Sequence, residues 1–304
     1  MCLTAHWIDN DWELQKRIII FCIVENHKGE TIGKQIEECL HEWGIDKVCT
    51  ITVDNASSND RAIAHLKKKC KWKDVILNND CMHMRCSAHI VNLIVKQGLE
   101  EQHESIMRVR NAVKYVRSSP ARLKAFKRNF VKFLKIFYNV TLKFSGSSYI
   151  TSNAFFRELA TLHVSLTTMM NKGDYHMASM AIRMRDKFNK YWGNIDNMNW
   201  FLFVAILLDL RYKLKYVSFG LATIYGSDPF FVKRMTEKIE DMLHLLYKQY
   251  AHSSLEHTSK DKDSIQDYIF MQLDGEDDPS VLLESQFAKH LEEEQYVESI
   301  SEVT

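Results

Sequence analysis

The chain has 304 residues, 46% of them apolar and 26% charged, the balance of a globular protein with a core along most of its length. Its net charge of +1 selects no class of partner by itself. No apolar run approaches the ~20 residues of a membrane span, Phe201–Leu208 being the best candidate, and His6, Asp9 and Asp11 break the start where a secretory leader would be apolar. The seven cysteines (Cys2, Cys22, Cys39, Cys49, Cys70, Cys81, Cys86) are odd in number and confined to the first 90 residues, which suits reduced thiols in a nuclear or cytosolic protein.

The first hundred residues alternate strand and helix signals. Cys2–Ile8 and 17–24 are rich in β-branched and aromatic residues around a polar gap at Asn10-Asp11, the pattern of a hairpin. Thr31 is placed to cap a helix with apolar positions Ile32, Ile36, Cys39, Leu40 and Trp43, stopped by Gly44. Val48–Val53 is a short β-branched run ending at Asp54. Ser57, Ser58 and Asn59 offer caps for a helix with Ala62, Ile63, Leu66 and Cys70 on one face. A strand over 80–86 and a helix over 88–97, ended by Gly98, complete a β-β-α-β-α-β-α order that predicts a mixed α/β sheet.

Beyond Gly98 strand signals nearly vanish. Segments 100–118, 121–140, 151–170, 175–192, 198–208 and 229–250 read as helices, with turns at Ser145-Gly146-Ser147-Ser148 and Gly173-Asp174. Trp192, Trp200, Phe201, Phe203 and the Met-rich 169–184 segment suit helix–helix packing. From about Ala251 the chain is polar and acidic, with one further helical pattern at 280–297. No repeat and no Gly-rich phosphate loop occurs.

Charge is segregated. Ser105 to Lys143 holds eleven Lys/Arg and no acid, whereas Glu256 to the end holds fourteen acids against three lysines. Arg108, Arg110, Lys114, Arg117, Arg122, Lys124, Lys127, Arg128, Lys132 and Lys135, interleaved with Tyr115, Phe126, Phe130 and Phe133, either form a solvated helix face or attract phosphate. The acidic tail is their natural intramolecular competitor.

Two local motifs carry possible chemistry. Asp54, between a strand and a capped turn, suits hydrogen bonding to the amides of that turn. Cys86 and His89 form C-x-x-H, whose two ligands do not complete a zinc tetrahedron. Nearby Cys81 and His83 fit no standard zinc spacing. A buried thiol with a core histidine, a zinc site and a DNA-facing role all remain open for this pair, and no metal is assigned.

The segments Leu3-Thr4-Ala5-His6-Trp7-Ile8-Asp9, Thr50–Asp60 (Thr-Ile-Thr-Val-Asp-Asn-Ala-Ser-Ser-Asn-Asp), Arg85-Cys86-Ser87-Ala88-His89-Ile90-Val91-Asn92-Leu93-Ile94-Val95, Lys132–Tyr138 and Leu207–Leu214 occur in an order that resembles plant hAT-superfamily transposases and their domesticated zinc-finger-BED RICESLEEPER-like relatives. The likeness runs from Met1 to about Tyr250. It implies a ribonuclease-H-like fold interrupted by a helical insertion, and DNA cleavage by two aspartates and a glutamate that hold Mg²⁺, whose hard oxygen ligands suit in-line displacement.

The resemblance assigns the second aspartate to Asp54. It places the first on a strand preceding Leu3, in the centre of the sheet, and the glutamate far downstream, beside a dimerisation region that nothing after residue 250 resembles. A BED zinc finger has no counterpart. Between Lys127 and Phe130 the family carries a long stretch with an Arg-Trp-Asn motif, whose flanks here join directly. Leu-Asp-Pro-Arg-Tyr becomes Leu208-Asp209-Leu210-Arg211-Tyr212.

The fold expected is therefore α/β plus α. Residues 1–100 form an incomplete ribonuclease-H-like mixed sheet lacking its first strand, 101–250 a helical insertion-like region, and 251–304 an acidic, weakly ordered tail. The function expected is a transposase-derived, non-catalytic nuclear protein. It has no cofactor, Mg²⁺ being ancestral, and it binds DNA non-specifically through the basic stretch with Cys86 and His89. The alternatives are an interaction remnant that forms homo- or heterodimers with full-length relatives, and an active transposase or nuclease.

Overall fold

The computed structural model describes residues 1–69, 80–99, 113–146, 149–172, 175–226 and 228–253, with backbone alone at 125–128, 172 and 251–253. In chain order the elements are β1 (Cys2–Ile8), β2 (Leu14–Phe21), α1 (Gly29–Glu42), β3 (Ile51–Val53), α2 (Ser57–Lys69), β4 (His83–Arg85), α3 (Ser87–Leu99), α4 (Pro120–Phe126), α5 (Lys132–Phe144), α6 (Phe155–Lys172), α7 (Tyr175–Trp192), α8 (Phe201–Leu207), α9 (Leu214–Tyr225) and α10 (Pro229–Ser253). They divide into two compact units. One is Met1–Thr151 with Tyr175–Phe201; the other is Ser152–Asp174 with the residues from Leu202 on.

In the first unit β1 and β2 form the expected antiparallel hairpin, paired from Cys2 opposite Phe21 to Ile8 opposite Leu14, with a one-residue register shift between Leu3 and Thr4 that leaves Ile19 unpaired. Asp9 closes its turn: Oδ1 accepts from the amides of Asp11 and Glu13, and Oδ2 from Gln15. β3 and β4 form a parallel pair, Ile51 opposite His83 and Val53 opposite Arg85. Both strand directions of an α/β fold are thus present. Among the described residues each pair is its own sheet, and β1 is not hydrogen-bonded to β3.

Both pairs rest on one apolar cluster. Ile36 and Leu40 of α1, Ile63 and Leu66 of α2, and Met82 form its buried centre; Leu3 and Ile19 reach it from the hairpin, Ile51 and Val53 from β3. Full burial of one such side chain stabilises by about 1.5–3 kcal/mol. The helices approach closely because a Cβ at Gly29 would lie 2.4 Å from the Ser58 carbonyl oxygen and from Arg61 Cβ. α1 begins earlier than expected: Lys28 is its N-cap, without a side-chain cap, and Thr31 lies inside the first turn. Gly44, with φ +63°, follows α1 where a stop was expected.

α3 buries Ile90, Val91 and Ile94 and packs against α5 and α7. Gly98 does not stop this helix; it lies within it and admits Met184, whose Cγ would be 2.4 Å from an added Cβ. Arg183 donates to the Gly98 carbonyl at 3.0 Å, so α7 is fastened to α3 by both apolar and polar contacts. α4 and α5 run as one continuous helix through a π-helical turn at Lys127–Val131.

In the second unit Phe156 is the hub, edge-on to Phe203 (centroids 5.7 Å apart) and Tyr216 (6.4 Å). α9 was not anticipated from sequence. Its residues Leu214, Tyr216, Val217, Gly220, Leu221 and Ile224 are buried. Its apolar residues cover too much of the helix to leave a clear stripe. Phe203 is a core residue here as expected, and Trp192 and Trp200 are core residues of the first unit.

Candidate functional site

Asp54 is exposed at the end of β3, where the chain turns into α2. Its Oδ1 accepts from the Ala56 amide at 2.9 Å and from Asn59 Nδ2 at 2.7 Å. A short carboxylate that reaches back to the amides following it pre-forms the turn that starts a helix. β4 runs alongside, so Arg85 emerges opposite Val53. Its guanidinium donates to Asn55 Oδ1 at 3.2 Å and Asp60 Oδ1 at 3.1 Å.

The next residue, Cys86, donates its amide to the Val53 carbonyl at 2.8 Å and accepts from the Ile90 amide, which launches α3 from the same end of the sheet. His89 sits on the first turn of α3, half-buried like Cys86. Asp54, Arg85, Cys86 and His89 are thereby carried on the C-terminal ends of two parallel strands and the first turns of two helices, the place where open α/β sheets bind ligands. Burial, then the charge of Arg85, lowers His83 from the ordinary histidine range. Its Nε2 lies 3.8 Å from Asp60 without a hydrogen bond. Asn199 braces the entry to β4, donating to the carbonyls of Cys81 (2.6 Å) and His83 (3.0 Å).

The links from Arg85 to Asn55 and Asp60 were not legible in the sequence. The partners are 30 and 25 residues away, and a first-turn acid on α2 was the one local hint. Asp60 is committed to Arg85. Among the described residues no group of three or more His, Cys, Asp or Glu is placed to hold a metal ion. Those described do not fit a two-ion carboxylate centre, which needs several oxygen ligands converging on each ion.

The basic stretch is only partly described. Arg108 and Arg110 lie outside the described residues, and Lys127 and Arg128 are described in backbone alone. Lys114, Arg117, Arg122 and Lys124 are all exposed, on the helical turn 113–117 and on α4. Arg122 stacks over the exposed Tyr115 ring at 4.1 Å and donates to Ser118 Oγ at 3.1 Å. Of the interleaved aromatics, Phe133 is core and Tyr115 faces solvent.

The Leu207–Leu214 motif has a structural use within the second unit. Asp209 accepts from Arg211 (2.9 and 2.6 Å) and from Asn153 (2.9 Å). These hydrogen bonds, that of the Arg211 side chain first, hold its carboxyl down to about 2. Arg157 pairs with the buried Glu158 at 3.1 Å and reaches the Tyr212 hydroxyl at 3.4 Å. The motif is thereby pinned to the start of α6. No described helix is long and apolar enough to cross a membrane.

The family model for the ZBED1 RNase-like domain matches residues 1–82, that for the ZBED1 RNase-like helical domain residues 84–200, and that for the hAT-like transposase RNase-H fold residues 153–250. Zinc finger BED domain-containing protein RICESLEEPER 2 of Oryza sativa subsp. japonica is 25% identical over 314 residues, covering 82% of this chain and 43% of its own length. Putative AC transposase of Zea mays is 26% identical, covering 74% of this chain and 36% of its own length. For DAYSLEEPER of Arabidopsis thaliana the identity is 21%, with 82% and 44% covered. The chain spans about two fifths of the length of these curated relatives. No solved structure matches. Three successive family models running from residue 1 to 250, and plant relatives aligned along most of the chain, make this protein similar to hAT-like transposases and ZBED1 RNase-like domains, a likeness that carries a ribonuclease-H-like fold.

Proposed function

We propose that this chain is a non-catalytic, transposase-derived DNA-binding protein of the nucleus. One observation carries the DNA contact: Lys114, Arg117, Arg122 and Lys124 are all exposed, in a stretch from Ser105 to Lys143 without an acid. Neutralising phosphates with such side chains releases counterions, which makes binding sequence-independent and salt-dependent. The strand-end site supports the non-catalytic part. The Asp54 carboxylate is engaged in a turn and its neighbour Asp60 in an ion pair.

Anisotropy of labelled duplex DNA across a salt series tests the contact. Lys114→Gln, Arg117→Gln, Arg122→Gln and Lys124→Gln together should lower the salt slope by a few units, at about 0.9 per phosphate. Unchanged binding would remove the contact from this face. Incubation with Mg²⁺ or Mn²⁺ tests the rest: strand cleavage that disappears in Asp54→Ala would overturn it.

The hairpin favours a second reading, pairing with full-length relatives. Ile8, Leu14, Ile18 and Phe21 are exposed on one face of the hairpin, formed by the cross-strand pairs of alternate residues, with the exposed His6–Lys16 pair among them. Association through that face would persist at high salt, whereas DNA binding would not.

A further inference from the structure

We propose that the solvent side of α5 is a groove for an acidic amphipathic helix, and that residues 280–297 of this chain are its occupant. α5 turns Phe133, Phe137 and Val140 inward. On its opposite side Val131, Leu134, Tyr138 and Leu142 recur at three- and four-residue spacing, a second apolar stripe. Tyr138 is 62% exposed and Leu142 52%. Phe130, Val131, Leu134, Lys135 and Tyr138 line a shallow cavity of about 330 Å³. A phosphate backbone has no use for such a stripe, whereas helix-in-groove recognition uses anchors at this spacing.

Charge selects the occupant. The groove lies in the acid-free stretch, with Lys135 in its lining and Lys132 on the same helix. Residues 280–297 carry Leu283, Phe287 and Leu291 at i, i+4 and i+8, together with Glu284, Glu292, Glu293 and Glu294 against the single base Lys289. As a helix this apolar stripe is about 12 Å long, and Val131 to Leu142 spans about 16 Å, so three anchors fit within the groove. The 26 residues from 254 to 279 reach up to roughly 90 Å when extended, so connectivity excludes no face.

The test uses the full chain and no nucleic acid, so its failure and that of the DNA reading are independent. A benzoylphenylalanine photo-cross-linker replaces Tyr138, and cross-linked peptides are mapped by mass spectrometry across a dilution series. The expected result is a concentration-independent cross-link to residues 280–297 that is lost in the triple variant Leu283→Asp, Phe287→Asp, Leu291→Asp. Cross-linking to α5 of a second copy, growing with concentration, would overturn the proposal, as would a product without 280–297.

The triple variant also vacates the groove for a labelled synthetic peptide of residues 280–297. Anisotropy should show saturable, salt-sensitive binding, at least about tenfold weaker when Leu142→Asp is added. Circular dichroism checks that the variants remain folded. A peptide that does not bind, or binds equally well to the Leu142→Asp chain, refutes the groove.

Discussion

The guanidinium of Arg85 and the carboxylate of Asp60 lie 3.1 Å apart, joining the end of β4 to the first turn of α2. Arg85 also holds Asn55, so one side chain fixes the loop that carries Asp54. Both members of the ion pair are partly exposed, and solvent screens their attraction. Arg85→Ala should cost about 1 kcal/mol, mostly the lost hydrogen bonds. Arg85→Lys should recover little, because a point charge cannot serve both acceptors as the guanidinium fork does. Urea unfolding of the three proteins checks this; full rescue by lysine would reduce the link to simple charge pairing.

Gly220 faces the ring of Phe156, whose Cε1 would lie 2.4 Å from an added Cβ. That ring is fully buried between Phe203 and Tyr216 and has nowhere to move. Gly220→Ala should destabilise by about 1–3 kcal/mol through overpacking, despite the better helix propensity of alanine. A thermal melt that rises instead would show slack in this core.

Stability should fall in acid through Asp209. Its carboxyl sits at about 2 in the folded chain against an ordinary 3.8. The unfolded chain therefore takes up the proton first as pH drops. The contribution is complete above about pH 4 and disappears between about pH 4 and pH 2. Asp209→Asn should lose this part of the acid dependence, and Arg211→Ala should raise the Asp209 titration midpoint. Carboxyl-detected NMR reads both; a midpoint unmoved by Arg211→Ala would place the cause elsewhere.

The amide of Ile51 donates to Met82 across the β3–β4 pair. Alternation along a parallel strand turns the next amide, that of Thr52, to the opposite edge, where no described strand pairs. Thr52 should exchange its amide hydrogen far faster than Ile51, and faster than amides in the middle of α5. Equal protection of Thr52 and Ile51 in the monomer would mean that this edge is covered.

The strand–helix order of the first hundred residues was legible because period-two and period-3.6 patterns are local; the first hairpin strand lies where expected, whereas the second runs Leu14–Phe21 rather than 17–24, because the tight turn at Asp9 brings Leu14 opposite Ile8. Boundaries were less so. Thr31 carried a capping side chain, but the N-cap is Lys28, three residues earlier, and the next residue, Gly29, packs closely on α2. Gly98 looked like a stop, yet its missing side chain makes room for Met184. The direct join expected between Lys127 and Phe130 falls in the π-helical turn, which widens the helix by a residue per turn and lets α4 and α5 continue without a break.

By itself the sequence determined the family resemblance, the order of the α/β elements, the segregation of charge and the local role of Asp54, because each depends on residues within one or two turns of one another. Only the tertiary structure decided which distant residues meet. Arg85 finds Asp60 across two parallel strands, Asn199 braces a strand more than a hundred residues earlier, and Tyr175–Trp192 packs on α3 while the flanking segments build the second unit around Phe156. Those choices rest on side-chain fit in a close-packed interior, and hydrophobic spacing along one helix does not specify which other helix it will meet.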